Sequence, residues 1–83
     1  MNEIDEQIFE ELVRLLQPFN TEGVELKKET DISTDLNIDS VSVLDFIMEV
    51  EDSFDIDIPL NLLAETRTMT ELVELVKKRQ AGE

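Results

Sequence analysis

The sequence contains no cysteine, histidine, tryptophan or tyrosine, and it has only two prolines and two glycines. The absence of cysteine excludes disulfide staples and thiolate zinc sites. The absence of histidine excludes catalysis built on a Cys-His or Ser-His pair. A chain of 83 residues makes one small domain over residues 1–83, near the size at which a single core supplies only a few kcal/mol of net stability. We therefore do not expect an enzyme with a deep, dry pocket.

Positive charge is also scarce. Seven basic residues face 21 acidic ones, which gives a formal net charge of -14. Such a charge repels the phosphates of nucleic acids and anionic membrane surfaces, so the expected partners are basic proteins and not nucleic acids. No apolar run approaches the roughly 20 residues of a membrane span, and the N-terminal MNEIDEQIFEE is acidic where a signal peptide would be basic. These features predict a cytoplasmic protein.

The hydrophobic pattern predicts helices and no strands. From Ile4 to Phe19 apolar residues recur at three- and four-residue steps, and Pro18 ends this first helix because the residue before a proline avoids the helical conformation. A capping box of Thr68 and Glu71 starts the last helix, whose final turn is basic, as the helix dipole favours. The predicted helices cover residues 3–17, 40–54, 60–65 and 69–79.

The stretch from residue 20 to residue 39 lacks periodicity but keeps five isolated apolar residues: Val24, Leu26, Ile32, Leu36 and Ile38. A structureless loop of this length is uncommon in a compact domain unless it is functional or packed down by such side chains. We therefore expect a packed loop. The predicted fold is a small all-α four-helix bundle and a monomer, with three main helices, a short third helix and a long packed loop between helices 1 and 2.

The second helix has two apolar faces when its residues are placed at about 100° per position. The core face consists of Val43, Phe46, Ile47, Val50 and Phe54. A second apolar set, Val41, Leu44 and Met48, lies at about 100° to 160° from Val43. One such residue on a surface is ordinary, but three ringed by acids indicate a site for a partner protein. We call this set the docking face, together with its acids Asp45, Glu51, Asp52 and Asp55.

A serine begins the second helix, directly after an aspartate. Serine at a helix start usually caps the backbone, but Asp39 is an equally good cap. The hydroxyl of Ser40 is then left in solvent. Because no histidine or lysine nearby in the sequence could activate that hydroxyl as a nucleophile, Ser40 is better placed to be modified than to catalyse.

The segment DLNIDSVSVLDFIMEVEDSFDIDIP resembles the attachment-site helix of the acyl carrier protein family. The matching positions are Asp35, Leu36, Asp39, Ser40, Glu51, Phe54, Asp55, Ile58 and Pro59. The resemblance implies that Ser40 receives 4'-phosphopantetheine from coenzyme A and that the thiol of this arm carries acyl groups as thioesters. It also implies that Asp39 contacts the modifying enzyme, and that the protein is a carrier and not itself an enzyme.

The partners implied by this resemblance are a phosphopantetheinyl transferase and acyl-transferring, condensing and modifying enzymes with basic docking surfaces. Val41 stands where the family usually has Leu, Asn37 where Gly is typical, and Ser42 where an acid is common. Asparagine tolerates the left-handed conformation, so the turn before the helix can be kept. These departures leave open whether the pathway is fatty acid, polyketide or specialised lipid biosynthesis.

Three other interpretations follow from the acidic residues. A calcium loop starting at Asp31 would have Leu36 in place of the required glycine and Ser42 in place of the bidentate glutamate, which argues against it. A catalytic pair of carboxylates has no cleft in the pattern to surround it. An acidic helical adaptor that binds a basic protein and is never modified remains the alternative to the carrier.

Overall fold

The computed structural model describes residues 3–82. Its elements are α1 (Glu3–Leu16), a 3-10 turn (Gln17–Phe19), α2 (Ser40–Phe54), α3 (Leu60–Leu63) and α4 (Met69–Gln80). This confirms the all-α prediction. Helix α1 ends one residue early because Pro18 lies in the 3-10 turn, and α3 is shorter than expected. No helix within residues 3–82 is long and apolar enough to cross a membrane.

Helix α1 packs against α2 and α4 through the apolar stripe that its periodicity predicts. The buried residues of that stripe are Ile8, Leu12, Leu15 and Leu16. Ile4, expected in the same stripe, is instead 61% exposed. In this first turn the buried residue is Asp5, whose carboxylate lies 2.9 Å from Nζ of Lys77 on α4. The contact between α1 and α4 is therefore ionic at this end and apolar along the rest.

The core face of α2 is confirmed, and its residues are more deeply buried at the centre of the helix than at its ends. Phe46, Ile47 and Val50 are buried, and the Phe46 ring meets Phe19 edge to face with 6.0 Å between centroids. Val43 and Phe54 are only half-buried, although they pack against the same cluster. Both lie near the ends of the helix, where fewer neighbours cover them. The centre of α2 thus forms the middle of the bundle.

The long loop of residues 20–39 is packed down, as predicted. Ile32 and Leu36 are buried in the core cluster. Backbone hydrogen bonds join the loop to the start of α4: Met69 N donates to Thr30 O at 3.1 Å, and Ile32 N donates to Arg67 O at 3.0 Å. The loop therefore holds the segment between α3 and α4 against the bundle.

The segment that follows α2 is fixed by its own hydrogen bonds. Helix α2 ends at Phe54 and is capped by Asp55, which adopts the left-handed conformation at φ 55°. The Glu51 carboxylate accepts the N–H of Ile58 at 2.8 Å, and Arg79 Nε donates to the carbonyl of Asp57 at 2.7 Å. These contacts hold the segment that leads into α3, whose last residue, Leu63, lines one pocket with Val43 and Leu44 of α2.

Candidate functional site

The two polar residues at the start of α2, Asp39 and Ser40, have different roles, as predicted. Asp39 has extended backbone and precedes the helix, and its carboxylate accepts the N–H of Ser42 at 2.8 Å. This hydrogen bond is the main reason why the pKa of Asp39 lies below its usual value. Ser40 is the first residue of the helix and is exposed. The capping prediction for Asp39 is confirmed, and the Ser40 hydroxyl is left to face solvent.

The turn before Asp39 depends on a left-handed residue. Asn37 has φ 53°, which confirms the prediction that this asparagine can take the left-handed conformation. Its side-chain amide donates to the carboxylate of Glu22 at 3.3 Å. Leu36, immediately before it, is buried. This turn directs the chain from the packed loop into α2 with Ser40 on the surface.

A groove of about 610 Å³ begins at Ser40, and we call it the Ser40 groove. Its walls come from three segments: the loop at residues 31–38, the first turns of α2, and residues 63–67 around the end of α3. A smaller cavity of about 60 Å³ shares Val43, Leu63 and Arg67 with the groove and is also lined by the buried Phe46 and Leu72. Ser40 thus lines a groove that adjoins a small cavity against core residues.

The apolar members of the docking face point into solvent, as the helical angles predict. Val41 is 67% exposed, Met48 63% and Leu44 44%. Leu44 also lines the Ser40 groove, which accounts for its lower exposure. Leu60, at the start of α3, is 68% exposed, and the sequence pattern had not singled it out. The structure therefore adds one residue of α3 to the exposed large apolar residues of α2.

The acids of the docking face differ in their surroundings. Asp45, Asp52 and Asp55 are exposed. Glu51 is half-buried, and one of its carboxylate oxygens accepts the backbone N–H of Ile58. Glu51 thus holds the segment after α2 in place, a role that spacing along the helix does not reveal.

The carboxylates of Asp31 and Asp35 in the loop before α2 accept backbone N–H groups of the loop itself. Within residues 3–82 no group of three or more carboxylates is arranged to hold a metal ion. Asp31, the first residue of the rejected calcium loop, accepts the backbone N–H groups of Ser33 and Thr34 at 3.1 and 2.8 Å. Its carboxylate therefore closes a local turn.

The sequence did not predict which residues form the groove wall opposite Ser40. Leu63, Thr66 and Arg67 are more than twenty residues from Ser40 in the chain, and no local spacing relates them to it. The only available signal was the capping box of Thr68 and Glu71, which the structure confirms. That box fixes where α4 begins and so where Arg67 lies, but it does not say which segment is opposite.

Comparison with known proteins identifies the kind of site. The family model described as "Phosphopantetheine attachment site" matches residues 7–76. An acyl carrier protein of Amoebophilus asiaticus is 31% identical over 81 residues, which cover 98% of both chains. A probable acyl carrier protein of Caulobacter vibrioides is 45% identical over 54 residues, which cover 65% of this chain and 63% of that protein.

The residues that match the family model include helix α2 from its first residue, Ser40. The family carries a covalent 4'-phosphopantetheine, and its members hand acyl groups between partner enzymes without being enzymes themselves. The alternative of an unmodified adaptor finds no support in these matches. The match over most of the chain, and the relatives that span nearly all of it, show that this chain belongs to the acyl carrier protein family.

Proposed function

We propose that Ser40 carries the phosphopantetheine arm and that residues 1–83 form a single carrier domain. The observation that carries this proposal is the exposed hydroxyl of Ser40 at the first position of α2, beside a cap that Asp39 already supplies. The other serines are less suited. Ser42 is half-buried, Ser53 donates its hydroxyl to Glu11 at 2.6 Å, and Ser33 lies in the loop and not at a helix start.

The surroundings of Ser40 fit the chemical character of the arm. A phosphodiester on Ser40 would lie at the N-terminus of a 15-residue helix, where the helix dipole and unpaired N–H groups favour an anion. The Ser40 groove offers space along which the arm can lie. When bound, the arm supplies a terminal thiol that carries acyl groups as thioesters. The expected setting is fatty acid, polyketide or specialised lipid biosynthesis.

The docking face is the proposed contact surface for the phosphopantetheinyl transferase and for acyl-transferring, condensing and modifying enzymes. Val41, Leu44 and Met48 can be buried only when a partner covers them, and they lie close to Ser40 in the sequence of the helix. The exposed Asp45, Asp52 and Asp55 suit a basic partner surface, which would steer its approach. Asp39 is placed to meet the transferase beside Ser40. A cytoplasmic location is part of the same proposal.

The deciding experiment is intact mass measurement after incubation with coenzyme A and a broad-specificity transferase. We expect the parent protein to gain one phosphopantetheinyl group and Ser40→Ala to gain none. Circular dichroism should show the same helicity for both, because the Asp39 cap is unaffected. Ser42→Ala is the matched control and should still be modified.

Two results would contradict the assignment. The first is modification of the Ser40→Ala protein. The second is a modified peptide that contains Ser33, Ser42 or Ser53 as the labelled residue. A parent protein that gains no mass would instead favour an unmodified adaptor.

A further inference from the structure

Arg67 is the one basic residue among those that line the Ser40 groove within residues 3–82, and it also lines the small cavity next to it. Its side chain is exposed and takes part in none of the ion pairs found in that part of the chain. Four other basic residues do form such pairs: Arg14, Lys27, Lys28 and Lys77. The charge of Arg67 acts on Glu71, whose pKa it helps to lower, but within residues 3–82 its guanidinium forms no salt bridge. In a protein with a net charge of -14, this guanidinium beside the attachment serine can bind an anion.

The backbone of Arg67 is held on both sides. Its carbonyl accepts the N–H of Ile32 at 3.0 Å, and its own N–H donates to Glu71 Oε1 at 3.1 Å. That same oxygen of Glu71 accepts the N–H of Thr68 at 3.0 Å as part of the capping box. Glu71 is therefore engaged with backbone donors, and the long side chain of Arg67 extends from a fixed point.

The other charged residue of the groove is Asp31, which forms no salt bridge with Arg67. One oxygen of Asp31 accepts the N–H groups of Ser33 and Thr34, so this carboxylate is held by its own loop. The groove wall also carries the hydroxyls of Ser33, Thr34 and Thr66. This half of the groove is polar, whereas Val43 and Leu63 form an apolar part.

The apolar part is small. The cavity of about 60 Å³ has room for about four to six water-sized groups, at about 10 to 15 Å³ each. It could shelter a few atoms of an acyl chain but not a long aliphatic tail. The structure therefore favours a short acyl group whose distal end meets polar atoms.

Building on the proposed attachment at Ser40, we propose that Arg67 makes the Ser40 groove selective for short acyl groups that end in a carboxylate. Its guanidinium would donate two parallel hydrogen bonds to that carboxylate, the geometry that suits arginine better than lysine. The rest of this acidic surface would repel such a group, so Arg67 supplies the compensating charge. An uncharged acyl group of the same length gains nothing from Arg67.

The test compares succinyl and butyryl groups, which have the same number of carbons but differ in the terminal carboxylate. Both are loaded onto the protein as acyl-phosphopantetheine, and intact mass confirms the loading. We expect the succinyl form of the parent to melt about 2 to 5 °C above the butyryl form, as an exposed arginine-carboxylate pair predicts for a domain of this size. In Arg67→Gln this difference should vanish.

Lys27→Gln is the matched control, because it removes one positive charge from an exposed lysine outside the groove. It should keep the difference between the succinyl and butyryl forms. NMR of the arginine side chains in the parent gives a readout that does not depend on any variant folding. The Nε–H signal of Arg67 should shift in the succinyl form and not in the butyryl form.

Equal melting of the two acyl forms of the parent would overturn the proposal. So would an Arg67 signal that already shifts when the unacylated arm is attached and then stays unchanged with succinyl, because the guanidinium would then bind the phosphodiester. Failure of the parent to gain mass would count against attachment at Ser40. If the arm is attached to Ser40 but the succinyl and butyryl forms melt at the same temperature, only the proposed role of Arg67 is contradicted.

Discussion

Helix α2 has two apolar faces, of which one is buried in the core and the other is exposed to solvent. Phe46 and Val50 have no exposed surface, whereas Val41 and Met48 are about two-thirds exposed on the same helix. Burial of apolar surface stabilises a fold by about 25 cal/mol per Å², and within residues 3–82 only the first face obtains that gain. The second face can obtain it only from another molecule. Apolar content alone therefore does not separate core from contact surface, and the helical angle of each residue does.

The polar side chains of α2 show the same division. On the side toward α1, the hydroxyl of Ser53 donates to Glu11, which also accepts from Arg14 Nε at 2.8 Å. On the outward side, Asp45 and Asp52 are exposed. Polar groups between helices are thus used for structure, and those on the docking face are available to partners.

The largest expected loss of stability comes from truncating a side chain on the buried face of α2. Phe46→Ala should lower the free energy of unfolding by about 3 to 5 kcal/mol, which would leave so small a domain barely folded. Phe54→Ala should cost less, about 1 to 2 kcal/mol, because Phe54 is only half-buried. Urea denaturation followed by circular dichroism measures both. Equal losses for the two variants would show that the end of α2 is as tightly packed as its centre.

The next effect concerns the cap that frees Ser40. Asp39→Ala removes the acceptor for the Ser42 N–H and should lower the melting temperature by about 4 °C at neutral pH. Because the pKa of Asp39 is lowered in the folded protein, its contribution is present above the unfolded pKa and is lost as pH falls through the folded value. The parent and the variant should therefore converge in acid. A gap that persists at low pH would mean that Asp39 does not act as a charged cap.

Truncation on the docking face should separate stability from reactivity. Leu44→Ala and Met48→Ala should change the free energy of unfolding by no more than about 1 kcal/mol, because both side chains are largely exposed. Both should raise the KM of the transferase for this protein, since the lost contacts form only in the complex. Melting curves and transferase kinetics are measured on the same samples. Variants that melt like Phe46→Ala, or that react like the parent, would show that this surface is not a docking face.

The smallest effect tests the polar contact between α1 and α2. The hydrogen bonds from Arg14 and then from Ser53 lower the pKa of Glu11 to about 2. Arg14→Gln should raise this pKa more than Ser53→Ala does, and NMR titration of the Glu11 carboxylate measures both. Because the folded pKa is depressed, the stability it contributes is present above about 4.5 and is lost as pH falls toward about 2. If Ser53→Ala raises the pKa of Glu11 more than Arg14→Gln does, the hydrogen bond from Ser53 is the main cause of the low pKa.

The main helices and the residues at which they start could be predicted from the sequence. Periodicity placed α2 at its observed bounds, and the short-range chemistry of Asp39, Asn37 and the Thr68 capping box was readable because each acts within a few residues. It also placed the exposed apolar residues of α2, since helical angles are a local property. The family resemblance rests on the same stretch.

The features that depend on contacts between distant segments could not be predicted and became visible in the packed fold. In the first turn of α1, Ile4 is exposed and Asp5 is buried against Lys77. The carboxylate of Glu51 accepts the backbone N–H of Ile58. The packing also brings Arg67 to the groove that starts at Ser40, through the hydrogen bond between Ile32 and Arg67. Periodicity and capping describe neighbours within about one or two helical turns, whereas the walls of a groove are set by how whole segments pack.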